Sequence, residues 1–313
     1  MRLKSAFAML VSGGLLAALI TRLEPGELGA ALGRLDIGEA GMLFALFGLA
    51  IACTGWRWSI GLRLARVPLD GLPLARAVLG GHLFNMVFFG PLGGDLAKSA
   101  GWSRWYGIPL SDLLAACILD RTLAAWAAVA FSILTVLLVW LGGIPVQAEA
   151  GPPSGWGGWL LGGLILLLVV GGVFYRFRRL AFFRRLARSL RSTVQAALAQ
   201  PGALARGTLL GLLAQVLMSL TMGLALWSVT TASIDWLAVA WTFPIITAVA
   251  ALPTSFGGAG VREAVAVVLL SRYGIPAADL VAAGLVYLLV QVAWALFGAV
   301  LLAWEERRFL AQA

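Results

Sequence analysis

Polar and ionisable residues lie inside several apolar runs of this chain, where a membrane protein places them beside a cavity or a partner. They are His82, Asn85, Asp95, Lys98, Asp120, Arg121, Arg262 and Glu263. Arginine and lysine at such positions can bind a phosphate group by charge and hydrogen bonds, and the carboxylates can orient these cations or carry a proton. These residues are therefore the predicted substrate-binding residues.

Asp120 and Arg121 lie about nine residues into a long apolar run. An unpaired charge there costs about 2.5–3.5 kcal/mol on membrane-insertion scales. Adjacent residues of a helix point about 100° apart, so the two side chains should reach separate partners. One hypothesis makes Arg121 a headgroup contact, with Asp120 as its orienter or as a proton site. The other makes both residues purely structural.

An internal repeat is visible when residue n is laid over residue n+167. Twelve of the 28 positions from Phe89 to Ala116 are then identical, which predicts copies at residues 41–141 and 204–304. Asp95 and Arg262 occupy the same position in the two copies. They could meet in a salt bridge that locks two hairpins together, or Arg262 could bind a phosphate together with helix-end N–H groups.

Each copy carries a glycine-rich break between two apolar segments, which cannot continue as one helix. The break residues are Phe89, Gly90 and Gly93 in the first copy and Phe256, Gly257, Gly258 and Gly260 in the second. A helix over residues 261–270 would be only about 15 Å long, so a re-entrant hairpin fits better than a full span. Asp112 and Asp279, after the two Tyr-Gly-Ile-Pro turns, are predicted to cap the next helices.

The composition indicates a membrane protein. The 313 residues are 61% hydrophobic and 12% charged, whereas a soluble domain has about 25% charged residues. We predict a single all-α polytopic membrane domain over residues 1–313, with about six transmembrane helices and two re-entrant helical hairpins in an inverted repeat. The alternative is eight or nine plain spans. The apolar run at residues 5–21 is expected to be an uncleaved first helix.

The positions of arginine and lysine predict the orientation. Seven arginines and no acidic residue lie between Arg176 and Arg191, so this stretch should be cytoplasmic. The same side is predicted for the end of the second span by Arg57, Arg63, Arg66 and Arg76. Basic residues also predict that both termini are cytoplasmic. When the crossings are counted with both hairpins re-entrant, the first hairpin enters the membrane from the cytoplasm and the second from outside. Richness in Ala, Gly and Arg suggests a bacterium, and hence its cytoplasmic (inner) membrane.

Residues 176–200 are the predicted cytoplasmic linker between the copies. A helical projection separates the arginines from the leucines and phenylalanines, as in an interfacial helix that binds anionic lipid headgroups between Arg176 and Arg191. A simple topology signal is the more ordinary interpretation, and the two are compatible.

Other chemistries have little support in the sequence. His82 is the single histidine, and the chain has no metal-ligand spacing, catalytic triad, CxxC motif or nucleotide-binding loop. A lone histidine in an apolar helix is more often a packing residue than a functional one. We therefore expect no catalytic residue, no metal and no cofactor. Despite the net charge of +9, we expect no nucleic-acid partner, because the arginines flank apolar spans.

Five motifs occur in a fairly specific order: Gly81-His-Leu-Phe-Asn85, Pro91-Leu-Gly-Gly-Asp95, Tyr106-Gly-Ile-Pro109, Asp120-Arg121 and Pro253-Thr-Ser-Phe-Gly-Gly-Ala-Gly-Val-Arg-Glu263. In this the chain resembles the lysylphosphatidylglycerol synthase transmembrane-region family over about residues 40–305. The resemblance implies a flippase-like protein that moves aminoacylated phospholipids or polyprenyl- or terpenoid-linked lipids. Lys98 stands where members often have Arg. No soluble aminoacyl-transferase domain follows Trp304, so a stand-alone membrane unit is expected.

The leading hypothesis is a lipid translocator. The headgroup of its membrane lipid substrate would move through a cavity between the two hairpins. A second hypothesis is an integral-membrane enzyme that transfers a group on a lipid, with Asp120 or Glu263 as base, although polar catalytic residues are scarce. A third is a non-transporting membrane scaffold.

Overall fold

The computed structural model describes residues 26–87, 90–141, 180–251 and 258–310. Within these ranges the chain is helical and has no strand. In chain order the helices are α1 Glu27–Leu32, α2 Ile37–Leu64, α3 Gly71–Val87, α4 Gly90–Tyr106, α5 Leu110–Leu141, α6 Ala181–Leu198, α7 Pro201–Val229, α8 Trp236–Ala250, α9 Val261–Leu270 and α10 Ala277–Leu310, with a 3₁₀ turn at Ser271–Tyr273 before α10.

Four of the described helices, α2, α5, α7 and α10, are long and apolar enough to cross a membrane. Their outward faces carry large apolar side chains such as Trp126, Leu209 and Val300, each more than half exposed. Such a surface is stable against the hydrocarbon tails of a bilayer, whereas its exposure to water would be unfavourable. The chain is therefore a multi-pass membrane protein. The other two predicted spans, residues 5–21 and 156–175, lie outside the described residues.

The remaining helices of the two copies are short. Helices α3 and α4 have 17 residues each, α8 has 15 and α9 has 10. At 1.5 Å per residue they are about 15–25 Å long, less than the ~30 Å hydrocarbon core. Helix α3 packs against α4, and α8 packs against α9. Each copy thus contains a pair of short, mutually packed helices between two long ones.

The helices of the two copies follow one another in the same order. A shift of 167 residues lays α2 on α7, α3 on α8, α4 on α9 and α5 on α10, and it brings Leu110, the first residue of α5, onto Ala277, the first residue of α10. The packing is exchanged between the copies, because α3 contacts α10 while α8 contacts α5, and α2 contacts α7. The first short helix of each copy therefore packs against the last long helix of the other copy.

Close helix contacts rely on small residues. A Cβ atom on Gly61 of α2 would lie 2.9 Å from the carbonyl oxygen of Ala116 on α5, and one on Gly211 of α7 would lie 2.6 Å from the Cβ of Ala127 on α5. Lipid tails are as apolar as leucine, so membrane helices depend on such close packing rather than on the hydrophobic effect. These glycines let α5 approach both α2 and α7.

The predicted caps Asp112 and Asp279 are not N-caps, which corrects that expectation. Each is the third residue of its helix, because α5 and α10 begin directly after Pro109 and Pro276, whose fixed φ suits a helix start. The Asp279 carboxylate instead accepts a hydrogen bond from Thr230 Oγ1 at 2.6 Å and lies 3.7 Å from the Arg34 guanidinium. It ties the start of α10 to the end of α7.

The described part of the basic linker forms α6, a helix that packs against α5, α2 and α7. Its arginines are exposed, namely Arg184, Arg185, Arg188 and Arg191. Its apolar side chains are half-buried, namely Phe182, Phe183, Leu186 and Leu190. The predicted separation into a basic and an apolar face is therefore present. Arg176, Arg178 and Arg179 lie outside the described residues.

Candidate functional site

A cavity of about 300 Å³ lies where the two copies meet. Its lining comes from α2, α3, α4, α5, α7, α8, α9 and α10, so every helix of both copies contributes. Asp120 on α5 and Tyr287 on α10 line it, each ten residues after the start of its helix. That is about 15 Å along the helix, half of the ~30 Å hydrocarbon thickness.

In the first copy, Asp95 joins two cations. The Arg121 guanidinium donates from Nε to Asp95 Oδ2 at 2.7 Å and from a terminal nitrogen to Oδ1 at 3.1 Å. Lys98 Nζ donates to Oδ1 at 3.1 Å. The Arg121–Asp95 contact is bidentate, the strong geometry for this pair, yet one carboxylate balances only one of the two cations.

Arg57 of α2 forms the second ion pair of this copy. Its Nε donates to Asp120 Oδ1 at 2.7 Å, and a terminal nitrogen reaches Oδ2 at 3.3 Å. Both residues are buried. Asp120 and Arg121 thus reach separate partners, as their helical angle predicted, and Asp120 orients Arg57 rather than Arg121. From the sequence, Arg57 is predicted only to mark the cytoplasmic side. Arg57 lies within the apolar run 41–60, and this is the sequence signal that could have placed it inside the span.

Lys98 is also held by an aromatic ring. Its Nζ lies 3.8 Å from the centroid of the Trp58 ring, a cation–π contact that stabilises a poorly solvated ammonium group. A Cβ on Gly81 would lie 2.7 Å from the Lys98 side chain, so the lysine packs closely against the backbone of α3. Trp58 and Gly81 therefore position this cation at the cavity wall.

In the second copy, Arg262 and Glu263 form a closed network. Arg262 Nε and a terminal nitrogen donate to Glu263 Oε1 at 3.1 and 3.0 Å. The other terminal nitrogen donates to Gln291 Oε1 at 2.8 Å. Glu263 Oε2 accepts the backbone N–H of Gly260 at 2.6 Å, so the helix-end donor expected to help bind a phosphate is already used. The two side chains are only 3% and 0% exposed.

Further contacts fix this network against α10. The Arg262 guanidinium lies 4.9 Å from the centroid of the Tyr287 ring and donates to the carbonyl oxygen of Gly284 at 3.3 Å. A Cβ on Gly284 would lie 2.5 Å from the Glu263 side chain. Tyr287 and Gln291 were not predicted from the sequence. Gln291 is the one polar residue in the apolar run 280–303, and that pattern could have identified it.

The predicted meeting of Asp95 with Arg262 does not occur. Each finds its ion-pair partner within its own copy, because the next helix or the next residue brings an opposite charge within about 3 Å. His82 and Asn85 do line the cavity. His82 Nε2 donates to the carbonyl oxygen of Gln291 at 3.2 Å. The buried Asn85 Oδ1 has no hydrogen-bond partner among the described residues.

The predicted break residues have different positions in the two copies. Gly90 is the first residue of α4, and Gly93 lies within that helix rather than in a break. Pro91 stands in the first turn, where its missing N–H is not needed, so α4 starts before Gly93. In the second copy, Gly258 and Gly260 both have φ of 81°, which favours glycine, and α9 starts only after them. Phe89, Phe256 and Gly257 lie outside the described residues.

The charged groups around the cavity do not balance. Four cations, Arg57, Lys98, Arg121 and Arg262, face three carboxylates, Asp95, Asp120 and Glu263. The described cluster therefore has one excess positive charge in a membrane-embedded position, where an anion would be stabilised. Among the described residues no three His, Cys, Asp or Glu side chains lie close enough to hold a metal ion.

Arg121 also borders a second cavity, a groove of about 500 Å³ on the outer surface of α4 and α5. The groove walls are mainly apolar, from Leu96, Leu114, Ile118 and Ala125, and Asp95 shares the polar end with Arg121. The Arg121 side chain is 38% exposed, whereas that of Asp95 is 9% exposed. The Asp95–Arg121 pair therefore separates the inner cavity from a surface that faces lipid.

No curated protein matches the chain. The sequence model of the lysylphosphatidylglycerol synthase TM region matches residues 5–299, a range that includes all the residues that line the cavity. The chain therefore belongs to the lysylphosphatidylglycerol synthase transmembrane-region family.

Proposed function

We propose that this protein is a lipid translocator that moves the headgroup of a phosphate-bearing lipid between leaflets through the cavity between its two copies. The observation that carries the proposal is the position of Arg121, which lines both the inner charged cavity and the outer apolar groove. A single cation at the boundary can bind a phosphate that arrives from the membrane and pass it inward.

The charge balance supports a phosphate as the ligand. A phosphodiester carries one negative charge, which matches the one excess cation of the described cluster. When Arg121 turns to a phosphate, Asp95 keeps Lys98 as its partner at 3.1 Å. The entry of the headgroup therefore exchanges one ion pair for another and leaves no charge buried alone, which would be costly.

The outer groove supports a lipid rather than a soluble anion. Leu96 and Ile118 on its walls are exposed on the surface that contacts lipid tails. A tail lying there stays in an apolar environment while the headgroup occupies the cavity. Translocation then needs no passage of the tail through polar groups, and no passage of the phosphate through hydrocarbon.

The helix order and the exchanged packing support an inverted repeat with two re-entrant hairpins, α3–α4 and α8–α9. Inverted repeats allow one site to open alternately to the two faces of a membrane. In this proposal Arg262 and Glu263 fix the α8–α9 hairpin against α10, and the α3–α4 hairpin carries the exchangeable pair. Asn85 and His82 supply polar groups on the cavity wall that contact the headgroup as it moves.

The arginine distribution supports a bacterial inner-membrane protein with both termini and α6 on the cytoplasmic side. In this orientation the exposed arginines of α6 lie at the level of the headgroups and bind anionic lipid. The apolar face of α6 contacts the membrane surface and the ends of α2, α5 and α7.

The proposal is tested in proteoliposomes that contain a headgroup-labelled fluorescent phospholipid, by the fraction of label that an impermeant reductant quenches with time. Arg121→Ala should lower the translocation rate at least about tenfold, because one charge-assisted bidentate contact is lost. Arg121→Lys, which keeps the charge but not the two-point geometry, should fall between the wild type and Arg121→Ala. Arg104→Ala removes an exposed arginine outside the cavity and serves as the matched control.

A wild-type rate for Arg121→Ala in folded protein would overturn the proposed role of Arg121. Mass spectrometry of the same vesicles covers the alternative of a group-transfer enzyme. A labelled lipid that changes mass during the assay would favour the enzyme, whereas an unchanged mass is expected for a translocator.

A further inference from the structure

We propose a second lipid site, distinct from the translocation cavity, that holds an anionic glycerophospholipid of the surrounding bilayer in the groove between α2 and α7. The groove has a volume of about 390 Å³. It is lined by Trp56, Ser59, Ile60 and Arg63 of α2 and by Arg206, Leu209, Leu210 and Leu213 of α7. None of these residues lines the translocation cavity.

The spacing shows how the groove is built. Its residues recur at i, i+3, i+4 and i+7 on each helix, so each helix contributes one continuous face. A Cβ on Gly207 would lie 3.8 Å from Ile60, and one on Gly211 would lie 3.6 Å from Arg57, so α2 and α7 run in opposite directions. Arg63 stands at the end of α2 and Arg206 near the start of α7. Both arginines therefore lie at the same end, and apolar side chains extend from them toward the middle of the membrane.

The two arginines have no acidic partner in the part of the chain that the structure describes. Arg63 donates a hydrogen bond to the hydroxyl of Ser59, at 3.4 Å, and Arg206 donates to the carbonyl oxygen of Gly202 within its own helix, at 3.1 Å. Both side chains are exposed. Two free guanidinium groups at headgroup level form a receptor for a phosphodiester, which each of them can bind by charge-assisted hydrogen bonds.

The rest of the groove fits an acyl chain. Trp56 is 60% exposed, Leu209 64% and Leu213 47%, and they lie on one side of the arginines only. Arg63 and Trp56 are seven residues apart, which is about 10 Å along the helix axis. A groove of this length can hold the half of a fatty-acid chain that lies next to the headgroup. A soluble anion would use the arginines and leave these apolar walls uncovered, so the arrangement favours a lipid.

The groove lies at the contact between the two copies, because α2 and α7 are the first helix of each. A lipid there would bind both copies at once and hold them together on one side of the membrane. The occupant is a structural lipid in this account, and its binding does not depend on translocation through the other cavity.

The test uses the purified full chain, delipidated in mild detergent and then supplied with dioleoyl phosphatidylglycerol or, separately, dioleoyl phosphatidylcholine. Ligand binding to the folded state raises the unfolding temperature. Phosphatidylglycerol should raise it more than phosphatidylcholine. Arg63→Gln/Arg206→Gln should lose most of this difference and bind phosphatidylglycerol about tenfold more weakly, as counted by native mass spectrometry.

Arg104→Gln/Arg272→Gln removes the same charge from two exposed positions outside the groove and should behave as the wild type. An equal loss in this control would mean diffuse electrostatic attraction and would overturn the site. So would equal lipid binding in all three proteins, or a second copy of the chain in the groove, seen as a dimer that the groove variant alone abolishes. Only lipid binding and melting are measured, so failure of the translocator proposal leaves this result unaffected.

Discussion

The two copies of the repeat place opposite charges at the same position and use them differently. Asp95 of the first copy shares its carboxylate between Lys98 and Arg121, and Arg121 remains partly exposed. Every guanidinium nitrogen of Arg262 in the second copy donates a hydrogen bond, to the buried Glu263 and Gly284 and to the half-buried Gln291. The Asp95–Arg121 pair is thus open to the inner cavity and to the outer groove through Arg121. The Arg262–Glu263 pair is enclosed by protein.

The difference shows how one helical framework can supply both a mobile and a fixed part. Helix α4 starts at Gly90 and presents Asp95 in its second turn, whereas α9 starts only at Val261, after two glycines with positive φ. The later start brings Arg262 and Glu263 into the first turn of α9, where Glu263 also binds the N–H of Gly260. The enclosed network follows from this local geometry.

Substitution of Glu263 should destabilise the protein more than any other change considered below. Glu263→Gln leaves the buried Arg262 without a counter-charge and should lower the free energy of unfolding by about 3–5 kcal/mol. Glu39→Gln is the matched control, because Glu39 makes the same capping bond to Asp36 N, at 3.1 Å, on an exposed helix end. Glutamine can also serve in a capping box, so the control should change stability by less than about 0.5 kcal/mol. Denaturant unfolding in detergent compares the two, and equal losses would contradict the buried role of Glu263.

Arg121→Ala should separate function from stability. Asp95 keeps Lys98 as its partner, and Arg121 is partly exposed, so the loss of stability should stay below about 2 kcal/mol. Translocation should nevertheless fall at least about tenfold. If Arg121→Ala destabilises the protein as strongly as Glu263→Gln, the contrast between an open and an enclosed pair is wrong.

A glycine pair tests how tightly the enclosed network is packed. Gly284→Ala places a Cβ 2.5 Å from the Glu263 side chain and should cost about 1–3 kcal/mol by overpacking. Gly101→Ala, within α4, meets Trp105 at an ordinary 3.8 Å and should be neutral or stabilise by up to about 1 kcal/mol. The melting temperatures should therefore move apart. A Gly284→Ala protein as stable as Gly101→Ala would show that Glu263 has room to move.

The smallest effect is expected for Lys98→Arg. The charge beside Asp95 is kept, and an arginine can stack on Trp58 as the lysine does at 3.8 Å. The translocation rate should stay within about threefold of the wild type. A loss as large as that of Arg121→Ala would mean that the point charge of lysine itself is required.

Much of the framework could be predicted from the sequence, because it depends on local patterns. Apolar runs identified α2, α5, α7 and α10, and the bounds of α9 followed from the glycines before it. The repeat identified which residues correspond. Ion-pair partners depend on how helices pack, and no local pattern contains that information. A salt bridge between Asp95 and Arg262 was therefore one of two hypotheses from the sequence, whereas the structure pairs Asp95 with Arg121 on the neighbouring helix.

Arg57 illustrates the same limit. Arginines near the end of an apolar run usually mark the cytoplasmic boundary, and Arg63 and Arg66 fit that pattern. Arg57 lies two helical turns earlier, and only the contact between α2 and α5 shows that it reaches Asp120. The caps were mispredicted for a related reason, since Pro109 and Pro276 start their helices before the aspartates are reached.

Mass spectrometry of the lipids that copurify with the protein shows whether Arg121 binds the phosphate of a membrane lipid. Wild type, Arg121→Ala and Arg104→Ala should be extracted from the same membranes under the same mild conditions. We expect one class of phosphate-bearing lipid to be enriched in the wild type and in Arg104→Ala, and to be lost from Arg121→Ala. Identical lipid profiles for all three proteins would contradict the claim and leave Arg121 as a structural partner of Asp95.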